Sequence, residues 1–418
     1  MTALPQPTGR FPALILLPFL VYVTLDYTFR VNNAMIVPAL VAEFRLGPAE
    51  LGFVTSAFFV TFAATQLPMG LALDRFGPRP VVAALLAVAV LGGVVYVTAG
   101  GVAGLALGRA LIGIGMAASL MGGVKAGSLW FPPHRLPQIT ALHVALTGLG
   151  GMAATGPMAA VLALVDWRQV LIGLMAISLL VIVLVLLLVP SAPRPTGPAP
   201  GLGQQLGELR RILTSLRFWR YAPVAMTGIG ASISYQTLWA PLWLRDVVGF
   251  SAVAQAWTLF AMFAAVAVGN LGFGWLFQRM GQQGRSVVPL VMAGFALSIL
   301  LQAFLGLSGG TVMPASVWVL ISALYACPIA IYTVAAHEFP PALSGRVASG
   351  VNALVFVTAF GTQWATGLII EAFPVTADGG YAVRGHMAGL WTVIALQVAA
   401  LAWYGLSGGL RRRFSEPR

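Results

Sequence analysis

The chain is a succession of apolar runs of about 20 residues, each long enough to cross the hydrocarbon core of a bilayer as an α-helix, joined by short polar segments. Six of them come first: Phe11 to Val37, Leu51 to Leu71, Val81 to Ala99, Val102 to Trp130, Ile139 to Leu164 and Val170 to Val189. Six more follow: Tyr221 to Leu244, Ala252 to Phe277, Ser286 to Leu307, Val312 to Ala336, Val347 to Phe373 and Met387 to Ser407. With 59% hydrophobic and 8% charged residues, against about a quarter charged in ordinary soluble domains, the chain reads as an all-α polytopic membrane protein of twelve transmembrane helices. The first run is long enough to span and lacks the charged region and cleavage site of a signal peptide, so it reads as a retained helix.

Composition shifts between the two sets. Pro190 to Pro200 is rich in Pro, Gly and Ala, and Gln204 to Arg220 is polar and basic, with Glu208, Arg210, Arg211 and Arg217. This predicts a bundle over 1–189, a cytoplasmic linker ending in a surface helix over 190–219, and a second bundle over 220–418 with a short basic tail.

The net charge of +12 is scattered as ones and twos between apolar runs, with no aromatic-interleaved basic face, so it does not point to nucleic acid. It orients the chain instead. If the chain starts inside, Arg10, Arg75, Arg79, Arg135, Arg194, Arg210, Arg211, Arg217, Arg220, Arg279, Arg285, Arg346, Arg411, Arg412, Arg413 and Arg418 fall on one side; Arg45, Arg168, Arg245 and Arg384 fall on the other. Both termini and the linker are then cytoplasmic.

The joint between the second and third runs, GLALDRFGPRP from Gly70 to Pro80, places Asp74 beside Arg75, turns at Gly77 and Pro78, and adds Arg79. Gly70 would let two helices approach closely, Asp74 would cap or pair across a helix end, and the arginines would hold the loop at the anionic leaflet. A degraded copy, GWLFQRMGQQGR, follows the eighth run, with Gly274, Arg279 and Gly281 aligning to Gly70, Arg75 and Gly77. The first copy resembles the signature loop of the major facilitator superfamily, G-x-x-x-D-R-x-G-R-R, with Pro78 in place of one Arg. In the fourth run, GRALIGIGMAA puts Arg109, Gly113, Gly115 and Ala117 on the family pattern R-x-x-Q-G-x-G-A-A, with Ile112 for Gln and Met116 for the first Ala. Gly156 and Pro157 are similar to the family's antiporter pair, without the glycines that follow it. The resemblance implies two pseudo-symmetric six-helix bundles in the cytoplasmic membrane of a bacterium. It also implies a central cavity lined by the first, fourth, seventh and tenth helices, an Arg109 associated with proton-coupled transport, and a functional monomer.

Few polar groups lie inside the runs. A charged side chain at the centre of a spanning helix costs roughly 2.5 to 3.5 kcal/mol on insertion scales, so each needs a wet cavity or a partner. Asp26 and Arg30 are four apart, hence on one helix face and able to pair; helix rise puts Arg109 at the depth of Arg30. Lys125 sits near the inner end of its helix. Tyr235, Gln236 and Trp239, with Tyr22, Tyr325 and Tyr332, would form hydrogen-bonding walls. The expected role is secondary transport of a small organic anion or zwitterion, with protons titrating Asp26. Two alternatives stand beside it: proton-driven efflux of apolar or cationic compounds, and a membrane scaffold or enzyme. There is no phosphate-binding loop and no zinc-spaced histidine pair, so no cofactor is expected. None of the 14 methionines sits three or four residues from another, so no metal site is expected. A reporter active only in the cytoplasm should give signal when fused at Gly203 and none at Thr376; the reverse would overturn the topology.

Overall fold

The computed structural model describes residues 11–192, 202–340, 343–376 and 380–414. Arg10, Arg194 and Arg418, counted above toward orientation, lie outside them, as does part of the expected linker and tail. The described residues are almost wholly helical: α1 (Phe11–Phe44), α2 (Pro48–Phe76), α3 (Pro78–Val97), α4 (Val102–Met116), α5 (Ser119–Trp130), α6 (Leu136–Ala153), α7 (Gly156–Leu162) and α8 (Trp167–Leu188) come first. After them come α9 (Leu202–Leu213), α10 (Leu216–Ala225), α11 (Ala231–Ser234), α12 (Ala240–Asp246), α13 (Ala252–Gln282), α14 (Val288–Leu307), α15 (Pro314–Leu324), α16 (Ala326–Ile329), α17 (Ile331–His337), α18 (Ser344–Glu371) and α19 (Val383–Phe414). Among the described residues, 11 helices are long and apolar enough to cross a membrane, α4 with α5, α6 with α7 and α15 to α17 each forming one span. The protein is thus multi-pass.

The remaining expected helix, Tyr221 to Leu244, is helical but not uniform. Between α10 and α12 it is interrupted by two π turns, Met226–Gly230 and Tyr235–Trp239, which widen the coil where Gly228 and Gly230 sit against neighbouring helices. A Cβ on Gly228 would lie 2.7 Å from the Pro328 ring, and one on Gly230 would lie 2.6 Å from the Val355 carbonyl oxygen. Such turns lie disproportionately at functional positions.

The chain divides into two compact units, residues 1–46 with 54–199, and residues 47–53 with 200–418. The surface helix α9 therefore groups with the second unit, where it packs on α18. So does the start of α2, because Gly52 and Gly367 carry no side chain: a Cβ on Gly52 would meet the Gln363 carbonyl oxygen at 2.8 Å, and one on Gly367 would meet the Pro48 carbonyl oxygen at 2.4 Å.

Within the first unit α3 and α4 are in intimate contact. A Cβ on Gly115 would stand 2.5 Å from the Ala89 backbone nitrogen, and one on Gly92 would stand 2.7 Å from that of Ile112. Lipid tails are as apolar as the side chains and give no hydrophobic drive to bring helices together, so close packing at small residues is what holds such a pair. Among the described residues the close approach expected at Gly70 is absent, since a Cβ there meets nothing within 4 Å, as at Gly274 and Gly281. Spacing identified a glycine, and packing placed the tight contact elsewhere. Gly115→Ala should lower the apparent melting temperature in detergent, consistent with overpacking costs of typically 1–3 kcal/mol. Gly70→Ala should leave it unchanged or raise it, by up to about 1 kcal/mol of helix propensity. Equal losses in both would contradict this packing.

Candidate functional site

In the first unit, α1 presents Asp26 and Arg30 on one face, one turn apart. Arg30 Nε donates to Asp26 Oδ1 at 2.7 Å and Nη2 donates to Oδ2 at 2.6 Å, the fork geometry in which guanidinium and carboxylate bind most strongly. Ser119 Oγ donates to the same Oδ2 at 2.7 Å. Ser119 opens α5, just after the turn at Ala117 and Ala118 that interrupts the helix through Val102–Trp130. The Arg30 guanidinium also lies over the rings of Phe62, at 4.4 Å, and Tyr27, at 4.9 Å.

Arg109, on α4, is 4% exposed. Its Nη1 donates to the Phe29 carbonyl at 2.9 Å, and its guanidinium lies 5.1 Å from the centre of the Phe58 ring. Its Nε is buried with no hydrogen-bond partner, and so are Asn32 Oδ1 and Asn33 Nδ2 on the facing turn of α1. Tyr96 on α3 closes the group by donating to Asn33 Oδ1 at 3.1 Å. Among the described residues no ion pair joins Arg109 to a carboxylate, and the charged side chain acting on it is another cation, Arg30. Of the two buried guanidiniums, Arg30 occupies both oxygens of Asp26 and Arg109 is paired with no carboxylate among the described residues. The cluster carries one uncompensated positive charge.

The second unit has a cavity of its own. Ser232, Tyr235 and Gln236 line it together with Gln302, Trp318, Ser322 and Gln397. Tyr235 and Trp318 stack with ring centres 5.7 Å apart at 26°. Trp239 does not join it: the indole is 1% exposed and Nε1 donates to the Gln363 carbonyl at 3.0 Å. Trp239 is thereby engaged in helix packing within the second unit.

The model of the Major Facilitator Superfamily matches residues 19–362. The chain belongs to this superfamily. Among curated relatives it is 26% identical to the probable sulfoacetate transporter SauU of Cupriavidus necator over 59% of this chain, and spans 60% of that relative's length. It is 24% identical to the hexuronate transporter of Bacillus subtilis over 69% of this chain and 71% of that one. It is 23% identical to the glycerol-3-phosphate transporter of the same organism over 90% and 89%. Among solved structures, a bacterial homologue of the human lysosomal transporter Spinster matches with a TM-score of 0.78 at 19% identity, covering 98% of this chain and 100% of that one. The D-xylose-proton symporter matches with a TM-score of 0.72 at 15% identity over 95% and 97%. These likenesses establish the fold.

In this facilitator the signature loop is a short elbow. Gly77 adopts φ 77°, the left-handed region that glycine enters freely, between α2 and α3. Asp74 accepts from Lys125 Nζ at 2.7 Å, so Lys125 is paired at its helix end and stands outside the Asp26 cluster. Arg79 donates to the Leu186 carbonyl at 2.6 Å and to Ser191 Oγ at 3.1 Å, tying the elbow to the end of α8. Arg75 lies over the Phe76 ring at 5.3 Å, and Arg279 over the Trp275 ring at 4.1 Å. Sequence reasoning missed Ser119, Asn32, Asn33, Tyr96 and Trp318. Of these, only the adjacent asparagines in an apolar run gave a signal, since uncharged polar pairs at that depth also need partners. Ser119→Ala removes one of the three hydrogen bonds to the Asp26 carboxylate. It should lower stability in detergent by roughly 1.5–3 kcal/mol, the worth of a hydrogen bond to a charged group; unchanged stability would mean that Ser119 does not support the ion pair.

Proposed function

We propose that this facilitator is a secondary transporter of a small organic anion, with Arg109 holding the anionic group and Asp26 exchanging a proton with the pathway. The observation that carries the reading is the buried Arg109 guanidinium, which has no carboxylate partner among the described residues and an unsatisfied Nε. Removing one partner of a buried ion pair costs about 3–5 kcal/mol, so a buried cation that stands without one is favourable chiefly when an anion arrives. The relatives support this: their names carry sulfoacetate, hexuronate and glycerol-3-phosphate, each bearing a carboxylate, sulfonate or phosphate.

Proton coupling follows from charge balance. With Asp26 ionised, Arg30 is engaged and the cluster has one cation to offer. Protonating Asp26 removes the charge that holds Arg30 and frees a second guanidinium for the solute. Reciprocity then requires the solute to raise the proton affinity of Asp26 as much as protonation raises solute affinity. Such couplings are typically 1–3 kcal/mol, or about 5- to 150-fold in affinity.

In vesicles, Arg109→Lys should keep the charge, lose the planar fork that grips a carboxylate, and reduce organic-anion uptake at least about tenfold. Asp26→Asn should abolish accumulation driven by a pH gradient while still permitting solute exchange. Equal gradient dependence in wild type and Asp26→Asn would remove Asp26 from the mechanism, and preferential transport of apolar or cationic compounds would replace the anion reading with efflux. The Asp74 to Lys125 contact is assigned to gating. Asp74→Asn should slow turnover and leave solute affinity within a few-fold; unchanged turnover would reduce the loop to a turn.

A further inference from the structure

Within the second unit, the end of the bundle next to α9 is rich in arginine. α10 and α19 meet there: Trp403 Nε1 donates to the Trp219 carbonyl at 2.7 Å, and Trp219 Nε1 donates to the Leu213 carbonyl at 2.6 Å. Arg220 lies in this seam. Its guanidinium stands over the Tyr404 ring at 4.9 Å and the Tyr221 ring at 5.6 Å. It also rests on the α19 backbone at Gly408, where a Cβ would lie 3.0 Å from Nη2. Ring contacts hold a guanidinium by its faces, whereas its N–H donors lie in the plane. Among the described residues those donors find no acceptor, and Nε is buried without one. The nearby acids are engaged elsewhere: Glu208 pairs with Arg346 on α18, and Glu338 accepts from the Tyr221 hydroxyl at 3.1 Å. Arg217, three residues before Arg220 on α10, is exposed, as are Arg210 and Arg211 on α9.

We propose that the seam between α10 and α19 binds the headgroup phosphate of an anionic phospholipid, with the free N–H edge of Arg220 donating to the phosphate oxygens and Arg217 adding attraction. The depth of the seam argues for lipid. Trp219, Tyr221, Trp403 and Tyr404 gather at it, and such rings collect at the level of the headgroups. α19 passes from its apolar span, Val383–Gly408, to Arg411, Arg412 and Arg413 within about a turn of the residue under the guanidinium. A basic pocket between spanning helices at that level meets phosphate supplied by the bilayer itself. Both anionic and zwitterionic lipids carry that phosphate. With the local carboxylates engaged, the excess of arginine favours the headgroup with a net negative charge. A lipid held there bridges α10 and α19 and stabilises the folded second unit by mass action. The site shares no residue with the Asp26 cluster, so it stands or falls independently of the solute reading.

The test uses the purified full-length protein in a neutral detergent, titrated with dioleoylphosphatidylglycerol, dioleoylphosphatidylcholine or inorganic phosphate. The melting temperature is the readout, and the concentration giving half of its rise is the apparent affinity. Wild type should respond to phosphatidylglycerol at a concentration at least about fivefold below that needed with phosphatidylcholine, and inorganic phosphate should give no rise. Arg220→Gln should weaken the phosphatidylglycerol response about 10- to 100-fold, the worth of a hydrogen bond to a charged group. Arg220→Lys keeps the charge and loses the fork, so it should fall between the two. Arg217→Gln changes an exposed side chain and should weaken the response about fivefold. Arg285→Gln, at an exposed arginine between α13 and α14, should leave it unchanged. If Arg220→Gln does not fold, Arg220→Lys and Arg217→Gln decide the matter. Equal responses to the two lipids, wild-type responses in the Arg220 and Arg217 variants, or the same loss in Arg285→Gln would overturn the proposal. A rise with inorganic phosphate equal to that with lipid would assign the seam to a soluble anion and overturn it as well.

Discussion

The bidentate contact between Arg30 and Asp26 governs the chemistry of the first unit. It satisfies both oxygens of the carboxylate that lies among its buried polar groups, and Ser119 adds a third bond to one of them. Every other consequence is a matter of what that pairing leaves over. Arg109 has a backbone carbonyl and the Phe58 ring for company, and the Asn32 and Asn33 side chains beside it carry unsatisfied atoms. A low-dielectric surrounding strengthens the pair and equally raises the cost of the cation that is not in it. The arrangement is stable enough to fold and poised to take up negative charge.

The scaffold that produces this geometry depends on small residues and helix defects more than on apolar mass. Close approach of α3 and α4 at Gly92 and Gly115 fixes the depth at which Arg109 leaves its helix. Ser119, the first residue after the turn at Ala117 and Ala118, donates to Asp26. In the second unit Tyr235 and Gln236, which line the cavity, lie on the second of the two π turns between α10 and α12. The two sites differ in electrostatic character: the cluster around Arg109 holds two arginines and one carboxylate, and the cavity of the second unit is lined by uncharged side chains.

Much of the architecture was legible in the sequence because the bilayer imposes a length on every apolar run, and i to i+4 spacing on one helix forces Asp26 and Arg30 together. The pairing of Asp74 with a cation was also within reach, because the elbow has room for little else. Facing was not legible. Trp239 and Tyr235 are four apart, yet the Trp239 indole donates to the Gln363 carbonyl while Tyr235 lines the cavity. Gly70 has the spacing of a contact residue, yet a Cβ on it would meet nothing within 4 Å among the described residues, whereas Gly115, in the same short stretch as Arg109, is packed against backbone. Ser119 gave no signal because a lone serine in an apolar run commonly bonds within its own helix, and its partner Asp26 lies 93 residues away on α1.

Linkage between solute and proton is the central claim, and it is measured most directly without any transport step. Calorimetric titration of the purified protein with a small organic anion, repeated in buffers of different ionisation enthalpy, counts the protons taken up on binding. If anion and proton share Arg30, binding to wild type takes up protons and binding to Asp26→Asn takes up none. Binding with no proton uptake in wild type, or with the same uptake in both proteins, would contradict the coupling through Asp26.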